Sequence, residues 1–336
     1  MNNLPLVSIL IPFKNTAQFL QECIQSILDQ KYTNWEVLAV NDHSSDGSQT
    51  IMANFALKDK RIQVFQNRGN GIIHALRTAY AKSSGAFITR MDSDDIMLPY
   101  KLQVMSNSLL EFGPGNVAVG QVKYFSHRGI SNGYARYEQW LNRLTKTGAN
   151  YTEIYKECPV PSPCWMTYRE DLEASGAFKP DHYPEDYDLT FRFYEQGLKC
   201  ISCNQILHLW RDYDTRTSRT SEHYAQNYFL DVKLHYFLKL DFDPSRSLIV
   251  WGAGKKGKTI AKGLLEREVN FYWICDNPKK IGKHIYGKEM MDFKALGDFG
   301  DPQSIITVAN ERAQEFIHNY LEEMGQKPIL DYFFFC

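Results

Sequence analysis

The sequence predicts an α/β protein, with a mostly parallel sheet flanked by helices over residues 1–240 and a smaller strand-helix domain over 248–336, joined by a linker at 241–247. Three observations predict it. Apolar strand runs alternate with amphipathic stretches from the start of the chain, the alternation begins afresh after a polar break, and 336 residues suit two domains at roughly 150 residues each. Hydrophobic residues make up 43% and charged residues 23%, which excludes a disordered chain. Lys plus Arg number 38 against 39 Asp plus Glu, a net charge of -1, so nucleic acid held by phosphate neutralisation is excluded and an anionic ligand must be gripped locally.

The first strand is Val7-Ser8-Ile9-Leu10-Ile11-Pro12. A helix over Ala17 to Leu28 follows, with Phe19, Leu20, Cys23, Ile24, Ile27 and Leu28 at the 3.6-residue period, and then the strand Glu36 to Val40. The next unit runs from Thr50-Ile51 through Phe55 to a strand at Ile62 to Phe65, and a helix over Ile72 to Lys82 leads to a strand at Ala86 to Met91. Parallel sheets carry ligands beyond the carboxyl ends of their strands, so site residues are expected there. Gly113 to Gly148, rich in Gly, Asn and Tyr, and the three-proline run Cys158 to Cys164 read as loops shaping a cleft. Leu198 to Ile206 reads as a strand, and Asp241, Asp243, Pro244, Ser245 and Arg246 mark the break before the strand Leu248 to Trp251.

Seven scattered cysteines suit a reducing compartment, and no second pair completes a zinc site around Cys200 and Cys203. The opening residues lack a basic region, and Leu6 to Phe13 is too short for a signal core or membrane span. The expected location is cytoplasmic. Peripheral contact at the inner face of the membrane and self-association are left open.

Two acidic clusters follow strands. Asn41-Asp42-His43-Ser44-Ser45-Asp46-Gly47-Ser48 directly follows Val40. A carboxylate there can accept from a uracil imide or a ribose, and the same residues can form a solvated turn with a helix cap at Asp46 or Ser48. Asp92-Ser93-Asp94-Asp95 follows Met91. In extended chain Asp92 and Asp94 face the same way, and a divalent cation resolves their repulsion while offering open positions to a diphosphate. A third cluster, Pro184-Glu185-Asp186-Tyr187-Asp188, opens an apolar helix.

These motifs, in this order, resemble the family 2 inverting glycosyltransferases of GT-A fold: a Val-Ser-Ile-Leu-Ile-Pro strand, an acidic turn, an Asp-x-Asp metal motif and a downstream Glu-Asp. The resemblance implies transfer of a sugar from a nucleotide-diphosphate donor to a glycan or lipid-linked hydroxyl acceptor, in cell-surface glycan or polysaccharide synthesis. It implies Mg2+ or Mn2+ on Asp92 and Asp94, Asp186 as catalytic base, and Glu185 beside it to orient the acceptor or raise the base's pKa. Pro12, Asp42, Asp92 and the arginines Arg211, Arg216 and Arg219 are the expected donor contacts, the arginines on a loop closing over the diphosphate. His208 can complete the metal shell or be structural. Asn41 and His43 stand where many relatives have Asp and Gly, which leaves guanosine and thymidine donors open beside uridine.

The second domain carries Gly252-Ala253-Gly254-Lys255-Lys256-Gly257 after its first strand, and Asp276 closes the next strand 24 residues on from Gly252. Gly252, Gly254, Gly257 and Asp276 form the fingerprint of a Rossmann-like nucleotide-binding unit. The alternative function is therefore a nucleotide-responsive binding protein or an NAD(P)-linked oxidoreductase working through these glycines.

Overall fold

Strand β1 (Val7–Phe13) is buried along its whole length. In a computed structural model of the chain, which describes residues 4–216 and 229–336, its alternate side chains enter two cores. Val7, Ile9, Ile11 and Phe13 meet Leu20, Cys23, Ile24 and Ile27 of α1 (Ala17–Leu28). Leu10 faces the other way, toward Ala75, Leu76 and Ala79 of α3 (Ile72–Lys82). Cover on both faces is why this strand reads as a continuous apolar run.

The chain forms two compact units, one of residues 4–151 and 159–216, the other of 152–158 and 229–336 among the described residues. The first holds β2 (Trp35–Asn41), α2 (Ser48–Lys58), β3 (Ile62–Gln66), β4 (Phe87–Arg90), β5 (Ile96–Met97), α4 (Lys101–Phe112), β6 (Asn116–Phe125), α5 (Asn132–Thr147), β7 (Trp165–Tyr168), α6 (Arg169–Ala174), α7 (Glu185–Glu195) and β8 (Lys199–Arg211). Its eight-stranded sheet has the order β3-β2-β1-β4-β7-β6-β8-β5. Strands β1 to β4 are mutually parallel, β7 runs antiparallel between β4 and β6, and β8 is parallel to β6. Short β5 pairs antiparallel with β8, Met97 opposite His208, which brings the acidic loop between β4 and β5 beside the end of β8.

Two expectations need correction here. Residues 113–148 are not loop-rich: they contain β6 and the 16-residue α5. Their glycines misled, because Gly120 lies inside β6, where an added Cβ would sit 2.8 Å from Cys164 Sγ and Leu207 Cδ1. The strand expected to stop at Ile206 continues to Arg211, so His208 and Trp210 are strand residues rather than loop.

The second unit consists of α8 (Phe229–Leu240), β9 (Leu248–Trp251), α9 (Lys255–Glu266), β10 (Tyr272–Cys275), β11 (His284–Ile285), β12 (Lys288–Asp292), β13 (Gln303–Ile306), α10 (Glu311–Glu323) and β14 (Tyr332–Phe334), together with residues 152–158. The sheet order β11-β12-β10-β9-β13-β14, parallel except for the β11-β12 pair, places β9 at the point where the chain reverses direction across the sheet. The composition break at 241–247 is not where the units divide, since α8 belongs with the second. The cause is aromatic packing: Tyr155 stacks on Phe335 at 5.3 Å, and Phe237 of α8 sets its ring edge-on to Tyr155, Phe333 and Phe335. The Tyr155 hydroxyl donates to Asp241 Oδ2 at 2.5 Å.

Candidate active site

The loop between β4 and β5 gives its three carboxylates three environments. Asp92 Oδ1 accepts from Arg90 Nη2 at 2.8 Å and Nε at 3.2 Å; burial raises its pKa, and the Arg90 charge outweighs that and holds it low. Asp94 Oδ2 accepts from the Tyr213 hydroxyl at 2.8 Å, and burial together with the like charges of Asp95 and Asp92 pushes its carboxyl up to about 7. Asp95 is fully buried, accepting from the Arg211 amide at 2.7 Å and His208 Nε2 at 2.9 Å. It ties the loop to β8, while Asp92 and Asp94 are only partly buried.

His208 is also fully buried, with Nδ1 3.4 Å from Lys101 Nζ, which donates to the Pro163 carbonyl. Burial, with the Lys101 charge, holds its pKa well below the ordinary histidine value. Its two ring nitrogens thus lie against protein groups, Asp95 on one side and Lys101 on the other. Among the described residues no three His, Cys, Asp or Glu side chains cluster as metal ligands. Asp92 and Asp94 are instead two neighbouring like charges, a pair that would suit a hard cation and its charge neutralisation.

Glu185 and Asp186 open α7, and Glu185 Oε1 takes Arg90 Nη1 at 2.8 Å. One buried guanidinium thus holds Asp92 and Glu185 together. Burial, then the adjacent Glu185 charge, pushes Asp186 up to about 7, and Asp186 Oδ1 accepts from the Tyr187 amide at 2.8 Å. The helix is anchored from below: Asp188 binds Arg192 Nε at 2.8 Å, and Arg192 donates to the Ala177 carbonyl at 2.8 Å.

Arg211 is 6% exposed and engaged inward. Its Nε donates to the Asp94 carbonyl at 2.6 Å, its Nη2 pairs with Glu22, and its guanidinium lies over the rings of Phe19 and Phe125. The expectation of an open diphosphate clamp at Arg211 is therefore corrected: this side chain fixes the acidic loop. Arg216 lies with its guanidinium carbon 5.0 Å from the Trp210 ring centre. Burial works against its charge, and Asp95, Tyr124, Asp94 and Asp92 more than restore it. Arg219 lies outside the described residues.

Pro12 is buried within β1, opposite Val40. Asp42, at the end of β2, is 5% exposed; Oδ1 accepts from Asn67 Nδ2 at 2.6 Å and the Gly71 amide at 2.9 Å, and Oδ2 pairs with Lys14 at 3.3 Å. Burial raises its pKa, but these bonds together hold it low. Asn41 Oδ1 accepts the Ser44 amide, closing the turn. His43 has φ 59°, the left-handed conformation in which Gly is at ease, and its Nε2 donates to the Gly69 carbonyl at 2.8 Å. Asp46 accepts the amides of Ser48 and Ala17, as a cap does. Sequence reasoning gave no role to Arg90, Tyr213, Asn67 or Lys14. Arg90 carried a usable signal, since an arginine inside an apolar strand requires buried acids.

In the second unit the glycines follow β9 as expected. An added Cβ at Gly252 (φ 124°) would meet Thr307 Oγ1 at 2.5 Å, and one at Gly257 would meet the Gly252 carbonyl at 2.0 Å. Both serve close packing. Asp276 is exposed and absent from the lining of the adjacent cleft, so the acid-to-ribose contact and the NAD(P) reading find no support in the structure.

The mostly parallel, partly antiparallel sheet has the GT-A type of fold seen in the solved structures it resembles. The profile of Glycosyl transferase family 2 matches residues 8–176, half of the chain, and the chain belongs to that family. It is 37% identical over 215 residues to the Escherichia coli UDP-Glc:alpha-D-GlcNAc-diphosphoundecaprenol beta-1,3-glucosyltransferase WfgD, covering 61% of this chain and 77% of WfgD. It is 31% identical over 162 residues to an uncharacterized glycosyltransferase of Rickettsia bellii, covering 48% of this chain and spanning only 22% of that relative's length. Among solved structures it resembles residues 1–349 of Staphylococcus aureus TarS in complex with UDP-GlcNAc, with TM-score 0.55, 17% identity, and coverage of 77% of this chain and 71% of that one. It also resembles the Pyrobaculum calidifontis mannosyltransferase PcManGT in complex with GDP-Man and Mn2+, with TM-score 0.52, 18% identity, and coverage of 78% and 69%. No helix among the described residues is long and apolar enough to cross a membrane.

Proposed function

We propose that the chain is an inverting glycosyltransferase that moves a sugar from a nucleoside diphosphate sugar to a hydroxyl of a glycan or lipid-linked acceptor. The observation that carries this reading is the single Arg90 guanidinium holding Asp92 and Glu185, which sets the acidic loop beside Asp186. Asp92 and Asp94 would hold Mg2+ or Mn2+, whose chemistry is charge neutralisation on the departing diphosphate. Asp186, with its carboxyl near 7, takes the proton from the acceptor hydroxyl on the face opposite the leaving group. Glu185 lies beside that base, and its ion pair with Arg90 keeps it in place. Arg216, close to the three aspartates, meets the diphosphate, while Pro12 and Asp42 lie at the nucleoside end. Family membership and the diphosphoundecaprenol acceptor in the name of WfgD support a role in polysaccharide synthesis at the inner face of the membrane.

The test is release of nucleoside diphosphate from UDP-Glc, UDP-GlcNAc, UDP-Gal and GDP-Man by the full chain with Mn2+ or EDTA. Metal-dependent release from one donor, lost in Asp94→Asn, is the expected result. Release that persists in EDTA and in Asp94→Asn would overturn the metal assignment, and no release from any donor, with or without a GlcNAc-diphospho-lipid acceptor, would overturn the activity.

A further inference from the structure

Lys101, the first residue of α4, is 0% exposed. Burial disfavours a cation, and so does the amino end of a helix, so an ammonium at this position is costly. Its Nζ donates to the Pro163 carbonyl, a task that any neutral donor could perform, and stands 3.4 Å from His208 Nδ1. The second contact is the one in which an ammonium differs from other donors.

An ammonium has hydrogens and no lone pair, so the ring nitrogen that faces it is the one without a hydrogen. His208 is neutral, because burial and then the Lys101 charge hold it well below the ordinary histidine value. Its single N–H is therefore on Nε2. That N–H points at Asp95 Oδ2, 2.9 Å away, while Asp95 Oδ1 takes the Arg211 amide at 2.7 Å. In the opposite tautomer the Nε2 lone pair would meet the carboxylate, and Asp95 would have to take up a proton or turn away. Lys101, His208 and Asp95 are each 0% exposed, so this line of contacts runs wholly inside the first unit.

The other residues of the acidic loop are held as well. Asp92 accepts from Arg90, Ser93 Oγ lies 3.0 Å from Thr16 Oγ1, and the Asp94 carbonyl accepts from Arg211 Nε. Asp95 closes the series, and it is the chain neighbour of Asp94. Turned inward, its carboxylate is engaged by β8 on both oxygens, which fixes the backbone on that side of Asp94.

We propose that Lys101 is a positioning residue for the cation site: by fixing the tautomer of His208 it holds the Asp95 carboxylate inward, and so sets where Asp94 and Asp92 present theirs. The inference rests on the proposed assignment of a divalent cation to Asp92 and Asp94.

Two measurements on the full chain test it. In 15N spectra of the imidazoles, with the signal identified by its loss in His208→Gln, His208 is expected to carry hydrogen on Nε2 and none on Nδ1. A hydrogen on Nδ1 alone would overturn the proposal. Calorimetric titration with Mn2+ in the presence of UDP or GDP is then compared among the wild type, Lys101→Met, His208→Leu and His208→Gln. Lys101→Met and His208→Leu should weaken Mn2+ binding by about 10- to 100-fold, as loss of a group that orients a metal ligand does, while binding of the nucleotide in EDTA stays the same. His208→Gln, which keeps a donor near the Nε2 position, should retain more Mn2+ affinity than His208→Leu. A purely structural Lys101 would shift the melting temperature and leave the Mn2+ affinity of the folded protein untouched, and that result would overturn the proposal. So would failure of both Lys101→Met and His208→Leu to fold, since the fold and not the cation would then require the pair. Absence of Mn2+ binding by the wild type with either nucleotide would remove the cation assignment itself, and this inference with it.

Discussion

Arg90 and Glu185 stand 95 positions apart in the chain and 2.8 Å apart in the structure, with side chains only 6% and 10% exposed. The second arm of the same guanidinium is on Asp92. Removing one member of a buried pair leaves its partner's charge uncompensated, at roughly 3–5 kcal/mol. Arg90→Met is therefore expected to lower stability by about that much in urea unfolding, and to abolish turnover where the protein remains folded. A loss below about 1 kcal/mol would show that water screens the pair.

Asp186 should govern both rate and stability against pH. Burial and Glu185 raise its carboxyl from the ordinary value to about 7, so the proton is bound more tightly in the folded chain. Turnover is expected to rise with pH through about 7 as the base ionises. The stability contributed by that proton is present below the unfolded pKa of about 3.9 and is lost as pH rises through the folded value. Asp186→Asn should flatten this part of the stability profile and lower the rate by about 10²- to 10⁴-fold, while donor affinity stays the same. Loss of donor affinity with the rate retained would place Asp186 in the donor pocket.

Asp94→Asn removes one of two proposed cation ligands while keeping the hydrogen bond from Tyr213 within reach. The expected result is a folded protein in which Mn2+ no longer strengthens donor binding. Calorimetry with and without the metal checks it, and an undiminished Mn2+ effect would place the cation elsewhere.

The two glycines at the start of α9 should part company. Gly257→Ala drives a Cβ toward the Gly252 carbonyl and is expected to cost about 1–3 kcal/mol, as overpacking does. Gly254→Ala meets nothing and should leave stability unchanged or raise it by about 0.4–1 kcal/mol through the unfolded chain. Thermal unfolding of the full chain distinguishes them, and equal losses would mean that both glycines serve packing.

The sequence made local order legible where one physical signal dominated. The spans Ala17–Leu28, Ile72–Lys82 and Leu248–Trp251 appear in the structure as read, because each is a clean helical stripe or a short apolar run between turn residues. The acidic loop was legible because three carboxylates at a strand end have few structural uses. The burial of Arg211 was not legible, since a basic side chain on a polar stretch looks solvated until Phe19, Phe125 and Glu22 are known to surround it. Nor was the distant partner of Arg90, since the strand context signals a buried acid but a contact across 95 positions does not show which one. The glycines and tyrosines of 113–148 hid a strand and a helix because Gly120 serves close packing rather than a turn.

Residues 152–158 belong to the second unit although chain on both sides of them belongs to the first. The two units therefore cannot be exchanged by recombination at a single junction. A graft that replaced everything after Leu240 would discard Phe333 and Phe335 and strip Tyr155 of two of the rings that cover it. Any lineage that swapped its carboxyl-terminal partner would have to rewrite this short internal segment together with it. The pair should therefore be inherited as one cassette, with Tyr155 changing in step with the last residues of the chain.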